Sequence, residues 1–302
     1  MIGTGPKRKQ RRDLRRGRGL IAFMAEAEAL QMMNLGNPDE EKASRSKYEL
    51  AVEAARRPLA NFRTYVTDVG SEFNTYLTQV SSSPVFQQAF QGSNWQFKIA
   101  EIDNLACYQR SVDLDYVGEL QQGLSSTADS LSLLKLCLPT SFPIKAAISA
   151  EPQSSAITIT SSSPNVSVAG LSFGQPSQEA PPSVVFTLGV NANYVQVVKY
   201  QDRCIVKNGH HRLYALRALG LTTTPCIYSE ISDYAQTGGD RPGFFTRDIV
   251  MSQRPPSMRD FFDDDISANI MIQPTLNVIR IRAEQFPMPV PAEAVQPGGL
   301  SA

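Results

Sequence analysis

The stretch "CIVKNGHHRLYALRALGLTTTPCIY", residues 204 to 228, constrains the fold more than any other part of the chain. An apolar run ends at Val206, and Asn208 and Gly209 supply a sharp turn that tolerates positive φ. Leu213, Leu216 and Leu219 then recur at helical spacing and stack on one face. Gly220 ends that helix, and Pro225 opens a second apolar run. The pattern predicts a strand at 204–207, a helix at 210–219 and a strand at 224–228, in immediate succession.

Both histidines of the chain, His210 and His211, stand at the start of this helix with Arg212 beside them. The first backbone N–H groups of a helix have no partner within it and point outward. With Arg212 and two imidazoles they would make a site for phosphate or another anion. Imidazole titrates near neutrality, so His210 is also a candidate general base or leaving-group acid. His211 would bond a phosphate oxygen. The alternative is structural, with one imidazole capping the helix and the other packing.

The rest of the chain is read more coarsely. "LIAFMAEAEALQMMNL" is full of helix formers and reads as one helix that stops at Gly36, Asn37 and Pro38. A second helix starts near Asp39, Glu40 and Glu41, and Pro58 should break it. "SEFNTYLTQV" and "PVFQQAFQ" read as shorter helices, and "WQFKIAEI" alternates like a strand. "SVDLDYVGELQQGL" places Val117, Leu120 and Leu124 at helical spacing. From about Pro143 to Gly174 the chain is rich in Ser, Thr, Val, Ile and Pro, which predicts short strands joined by turns, and "GQPSQEAPPS" reads as a loop. Residues 194 to 207 read as a hairpin turning at Gln201, Asp202 and Arg203. "PTLNVIRIRAEQF" is a last strand, and the tail from Pro287 is expected to be disordered. The expected class is α+β. A helical N-terminal region, residues 19–92, precedes a mixed α/β domain, residues 93–286, with a β-rich insertion at about 139–190.

"IVKNGHHRLYALRALGLTTTPCIY" resembles the signature of the ParB/sulfiredoxin-like superfamily. There a strand, a G-x-H/R-R turn and a short helix ending in glycine precede a further strand. "IAEIDNLACYQRSVDLDYVGELQQGL" is similar to the opening box of ParB N-terminal domains, with Gln109 and Arg110 standing where that box has its Q-P-R. The resemblance covers about residues 97–130 and 194–230. It implies a bound nucleotide, CTP or ATP with Mg²⁺, and slow hydrolysis or phosphotransfer as the associated chemistry. The phosphates would sit at Asn208, Gly209, His211 and Arg212, and Gln109 and Arg110 would close over the nucleotide.

The chain also departs from the family's patterns. Sulfiredoxins carry a cysteine where this chain has His210, so cysteine repair is not expected. No helix-turn-helix pattern follows residue 230, unlike ParB partition proteins. DGQHR-type proteins have Asp and Gln where this chain has Asn208 and His210. A non-catalytic module for nucleic acid or protein on the same fold is the second reading. A ParB-like nuclease is the weakest, because no carboxylate cluster of two-metal type lies near the motif.

The formal net charge is zero, but it is unevenly spread. Residues 7 to 18, "KRKQRRDLRRGR", hold one acid and eight bases: Lys7, Arg8, Lys9, Arg11, Arg12, Arg15, Arg16 and Arg18. The rest has 21 basic residues against 28 acidic ones. Residues 1–18 therefore read as a disordered basic arm that would hold DNA or RNA by displacing counterions. Cys107, Cys137, Cys204 and Cys226 lie in apolar contexts without CxxC or zinc spacing. That predicts buried thiols in a reducing, cytoplasmic setting and no metal ligands. The three aspartates at 263–265 read as a solvated acidic helix start rather than a cation site. No apolar run reaches the roughly 18 residues of a membrane span. No export signal is expected either, since Glu26 and Glu28 interrupt the apolar stretch after the arm.

Overall fold

A computed structural model describes residues 14–35, 40–59, 62–122, 124, 129–151, 156–174 and 183–287. The chain is an α+β protein that divides into two units, residues 1–143 with 191–274 and residues 144–190 with 275–302. Lys7, Arg8, Lys9, Arg11 and Arg12, the breaker at 36–38 and the tail from residue 288 lie outside the described residues.

The first unit opens with β1 (Arg15–Gly19), a short 3-10 turn at Ile21–Phe23, α1 (Glu26–Asn34) and α2 (Glu41–Ala55). The single helix expected from Leu20 onward is two pieces, because the backbone is extended at Met24 and Ala25. Helix α2 stops ahead of Pro58, whose ring and missing N–H a helix cannot continue through. β2 (Val66–Asp68) precedes α3 (Asn74–Ser81) and α4 (Pro84–Phe90). Pro84 sits where its missing N–H costs nothing, and the Ser83 hydroxyl accepts the N–H of Phe86. β3 (Gln96–Glu101), β4 (Ser111–Asp113), α5 (Leu114–Gln122) and α6 (Ser130–Cys137) follow.

The second unit then begins with β5 (Ala147–Glu151), β6 (Ala156–Ser161), β7 (Val166–Gly174) and β8 (Ser183–Val190). The chain returns to the first unit for β9 (Gln196–Tyr200), β10 (Arg203–Asn208), α7 (His210–Ala218), β11 (Thr223–Ile231), α8 (Arg247–Val250) and β12 (Ala268–Ile272). β13 (Asn277–Arg282) belongs to the second unit again.

The main sheet of the first unit has the order β10-β9-β11-β3-β2. β9 and β11 are parallel and the other neighbours antiparallel, so α7 is the crossover that carries the chain from β10 to β11. A second sheet, β12-β1-β4, holds β1 between two strands drawn from distant parts of the chain. Leu20, Ile102, Leu105, Ile205, Leu213, Phe245 and Phe261 are fully buried in the shared core. Phe86 of α4 packs on Trp95, Phe97 and Tyr194.

These contacts correct two expected boundaries. The helical region is not a separate piece, since β2 pairs with β3 and α4 is built into the core of the same unit. The basic arm does not extend to residue 18, because Arg15–Gly19 is a central strand. Its cations are matched by acids far along the chain. Arg15 pairs with Asp113 at 2.7 Å, Arg16 with Asp115 at 2.8 Å, and buried Arg18 with Asp264. Arg18 also donates through Nε to the Phe261 carbonyl at 2.9 Å. Asp264, read from the sequence as part of a solvated helix start, is thereby a partner of the strand.

In the second unit the sheet order is β13-β6-β5, with β7 and β8 forming a separate two-stranded ladder. The last strand thus completes the inserted unit by pairing Ile279 with Ile159 and Ile281 with Ile157. It does not belong with the 93–286 domain. Along one face of the ladder, Val166, Val168, Leu171 and Phe173 stand opposite Val190, Leu188, Phe186 and Val184. A bulge between Val168 and Gly170 shifts the alternation by one residue. Without it Leu171 and Phe173 would point to the other face.

Candidate functional site: the turn between β10 and α7

Gly209 adopts φ 107° at the N-cap of α7. A Cβ there would lie 3.0 Å from Val195 Cγ2 and 3.2 Å from the Val195 Cα. Both the conformation and the space therefore demand glycine. Gly209→Ala should destabilise the chain by about 1–3 kcal/mol, the cost of a non-glycine residue in a positive-φ turn. A urea unfolding midpoint reads it directly, and an unchanged midpoint would mean that the turn relaxes freely.

Asn208 donates through its side chain to the Asn193 side chain at 3.1 Å, which ties the turn to the segment entering β9. The Leu213 N–H bonds the Gly209 carbonyl at 2.9 Å and starts the helical ladder. The backbone N–H groups of His210, His211 and Arg212 have no acceptor among the described residues, and no side chain caps the helix.

Arg212 is 9% exposed. Its Nη1 donates to the Asn193 carbonyl, and among the described residues no carboxylate pairs with it. Burial pushes its pKa down. A guanidinium held inside a protein without a counter-ion is unusual, because enclosed charges are normally paired.

The histidines behave differently from the sequence expectation. His210 is 3% exposed and packs against Tyr108, with ring centroids 5.3 Å apart. Among the described residues its Nε2 has no hydrogen-bond partner. Burial lowers its pKa to about 3, and the neighbouring His211 acts in the same direction. His210 is thus held as an enclosed neutral imidazole of lowered basicity, packed on Tyr108 rather than turned outward. His211 is partly buried against Tyr116 of α5, at 5.4 Å between ring centroids. Burial lowers its pKa to about 4, opposed by Asp113 and reinforced by Arg212. It is a neutral donor at pH 7, not a cation. Neither imidazole caps the helix.

The other sequence box lies beside the turn, but through different atoms. Ala106 pairs with Ile205 as a parallel bridge, so residues 105–108 run along β10. Tyr108 donates its hydroxyl to the Lys207 carbonyl and meets His210. Gln109 instead bonds the Ser111 carbonyl at 2.7 Å. Arg110 bonds Glu28 at 2.5 Å and the Phe244 carbonyl at 2.7 Å. In this structure the Arg110 charge is thus held on α1 and the Gln109 amide on the start of β4.

Asn193, Tyr108 and Tyr116 are site residues that sequence reasoning missed. Tyr108 precedes Gln109 directly and could have been found by extending that box. Asn193 and Tyr116 carry no local signal.

Burial raises the pKa of all four free thiols, that of Cys137 to about 11, in keeping with core cysteines. Among the described residues, no group of three His, Cys, Asp or Glu side chains could hold a metal ion. Asp113, the acid nearest to His211 in electrostatic effect, is already bonded to Arg15 and to the first turn of α5. The residues present therefore do not fit a protein-held Mg²⁺ at this turn. No described helix is long and apolar enough to cross a membrane. Comparison with protein-family models, curated proteins and solved structures returns no match to the chain.

Proposed function

We propose that the chain binds the phosphate group of a nucleotide at the turn between β10 and α7, in the manner of the ParB/sulfiredoxin-like proteins that its motif resembles. The observation that carries this reading is Arg212, a buried guanidinium that meets no carboxylate among the described residues, on the same first turn as three N–H groups without an acceptor among them. The positive end of the helix dipole adds to that charge instead of cancelling it. An anion at the turn would satisfy both, with neutral His211 donating one further hydrogen bond. ATP and CTP are the nucleotides to try first. The reading is one of binding, because enclosed His210, with its lowered basicity, is poorly suited to move a proton for a substrate.

Thermal melts with ATP, ADP, CTP and GTP, each with Mg²⁺ at millimolar concentration, test it. A ligand at 100 times its Kd stabilises by about 2.7 kcal/mol, which raises Tm by roughly 5–10 °C for a unit of this size. Arg212→Ala should abolish the shift measured from its own ligand-free baseline, and Arg212→Lys should restore part of it. A wild type that shifts with none of the four nucleotides rejects the reading.

A further inference from the structure

We infer that the second unit is a self-association module, in which the apolar face of the β7–β8 ladder docks on the same face of a second copy of this chain. The proposal is independent of nucleotide binding. All four cross-strand pairs on that face are apolar, and residues directly opposite one another in an antiparallel ladder share a face. The reverse face is built mainly of Ser, Gly and Thr. The bulge that keeps Leu171 and Phe173 in line with Val166 and Val168 preserves the apolar face along the whole ladder.

The face is open. Phe173 is 69% exposed, Leu171 and Val184 52% each, Val168 42% and Phe186 39%. Across the second unit, Ala156, Ile159 and Val166 are the buried apolar residues among those described. That is too little interior to stabilise the strands. A two-stranded ladder is at best marginally stable in water and needs a covering layer.

The chemistry selects the occupant. β7 and β8 contain no charged residue, so a charge-complementary partner has nothing to read, and an anionic lipid surface finds no Lys or Arg on either strand. Two identical neutral apolar faces can meet across a twofold axis without repulsion, as stacked sheets do. The five exposed side chains offer roughly 500 Å² per copy, so a pair removes roughly 1,000 Å², the lower bound of a specific interface. The association should therefore be weak and concentration-dependent.

Sedimentation velocity on the full chain, from roughly 1 to 100 μM, spans the range such an interface populates. The wild type should shift from monomer toward dimer, and the Leu171→Asp/Phe173→Asp double variant should stay monomeric throughout. A pair of cysteine variants removes any dependence on how that variant folds. Leu171→Cys lies on the apolar face and should form a disulfide-linked dimer under oxidation. Ser172→Cys lies on the reverse face and should not, while the four native thiols are buried. A wild type that is monomeric at 100 μM overturns the proposal, as does equal cross-linking of the two cysteine variants. A monomer that co-sediments with phosphatidylcholine vesicles through this face would do the same, by giving the face to lipid.

Discussion

Asp260→Ala should lower the melting temperature by roughly 10 °C, the expected result of orphaning a buried charge at a cost of about 3–5 kcal/mol in a unit of this size. Asp260 is 1% exposed. Its carboxylate accepts two bonds from Arg254, at 2.9 and 2.7 Å, and two from Ser257, backbone and hydroxyl, both at 2.8 Å. Arg254 in turn stacks over Phe23, 5.3 Å from the ring centroid. The carboxylate thus caps the turn Met258–Phe262, which inserts Met258 and Phe261 into the core and presents the Phe261 carbonyl to Arg18. Removing it strands Arg254 and two Ser257 donors together. Asp260→Asn should cost less, since the amide oxygen still accepts. Asp260→Ala combined with Arg254→Met should also cost less than Asp260→Ala alone, because the penalty lies in the unpaired charge. Urea midpoints of the three variants decide the matter. Equal losses for Asp260→Ala and for the double variant would show that packing, not charge pairing, holds the turn.

Acid should weaken the chain first through its two histidines. His210 has a pKa of about 3 in the folded chain and an ordinary value of 6.5 when unfolded. The unfolded state therefore takes up a proton first as pH falls. Stability is insensitive to this group above pH 6.5 and declines progressively from there toward pH 3. At pH 5 the loss from His210 is about 2 kcal/mol, and His211 adds to it in the same direction. The paired carboxylates Asp115 and Asp264 are held below their ordinary range, chiefly by bonds from Arg16 and Arg18. Their contribution is lost only at lower pH, so in the interval from pH 7 to 5 the His210→Phe comparison reads the histidine itself. Unfolding midpoints across that interval should fall for the wild type and fall less for His210→Phe, which keeps the packing against Tyr108. Parallel slopes for the two proteins would exclude a buried neutral imidazole at 210.

The elements read most clearly from sequence are those whose signals are local. Gly209, the leucine spacing and Gly220 all fall within one strand-turn-helix unit, and the observed α7 and β11 lie close to the expected bounds. What stayed hidden depends on partners far away. The basic run reads as an arm until Asp113, Asp115 and Asp264 appear opposite Arg15, Arg16 and Arg18. Arg110 reads as a residue that would close over a nucleotide until Glu28 is brought to it. The histidines were legible in position but not in protonation, because burial by Tyr108 and α5 is a tertiary property. The last strand was expected, yet its pairing with β6 could not be read, because alternation gives a face and not a partner.

The order of the strands also sets a schedule for synthesis. The sheet that holds β1 is closed by β12 and the inserted unit by β13, so the first stays open until residue 272 has been made and the second until residue 282. Until then β1 waits with one edge unpaired, and Ile157 and Ile159 have no strand beside them on that side. Exposed strand edges are what chaperones shield and what aggregation exploits. A ribosome stalled a few codons before residue 268 would therefore release not one finished unit and one fragment, but two unfinished sheets on a single chain.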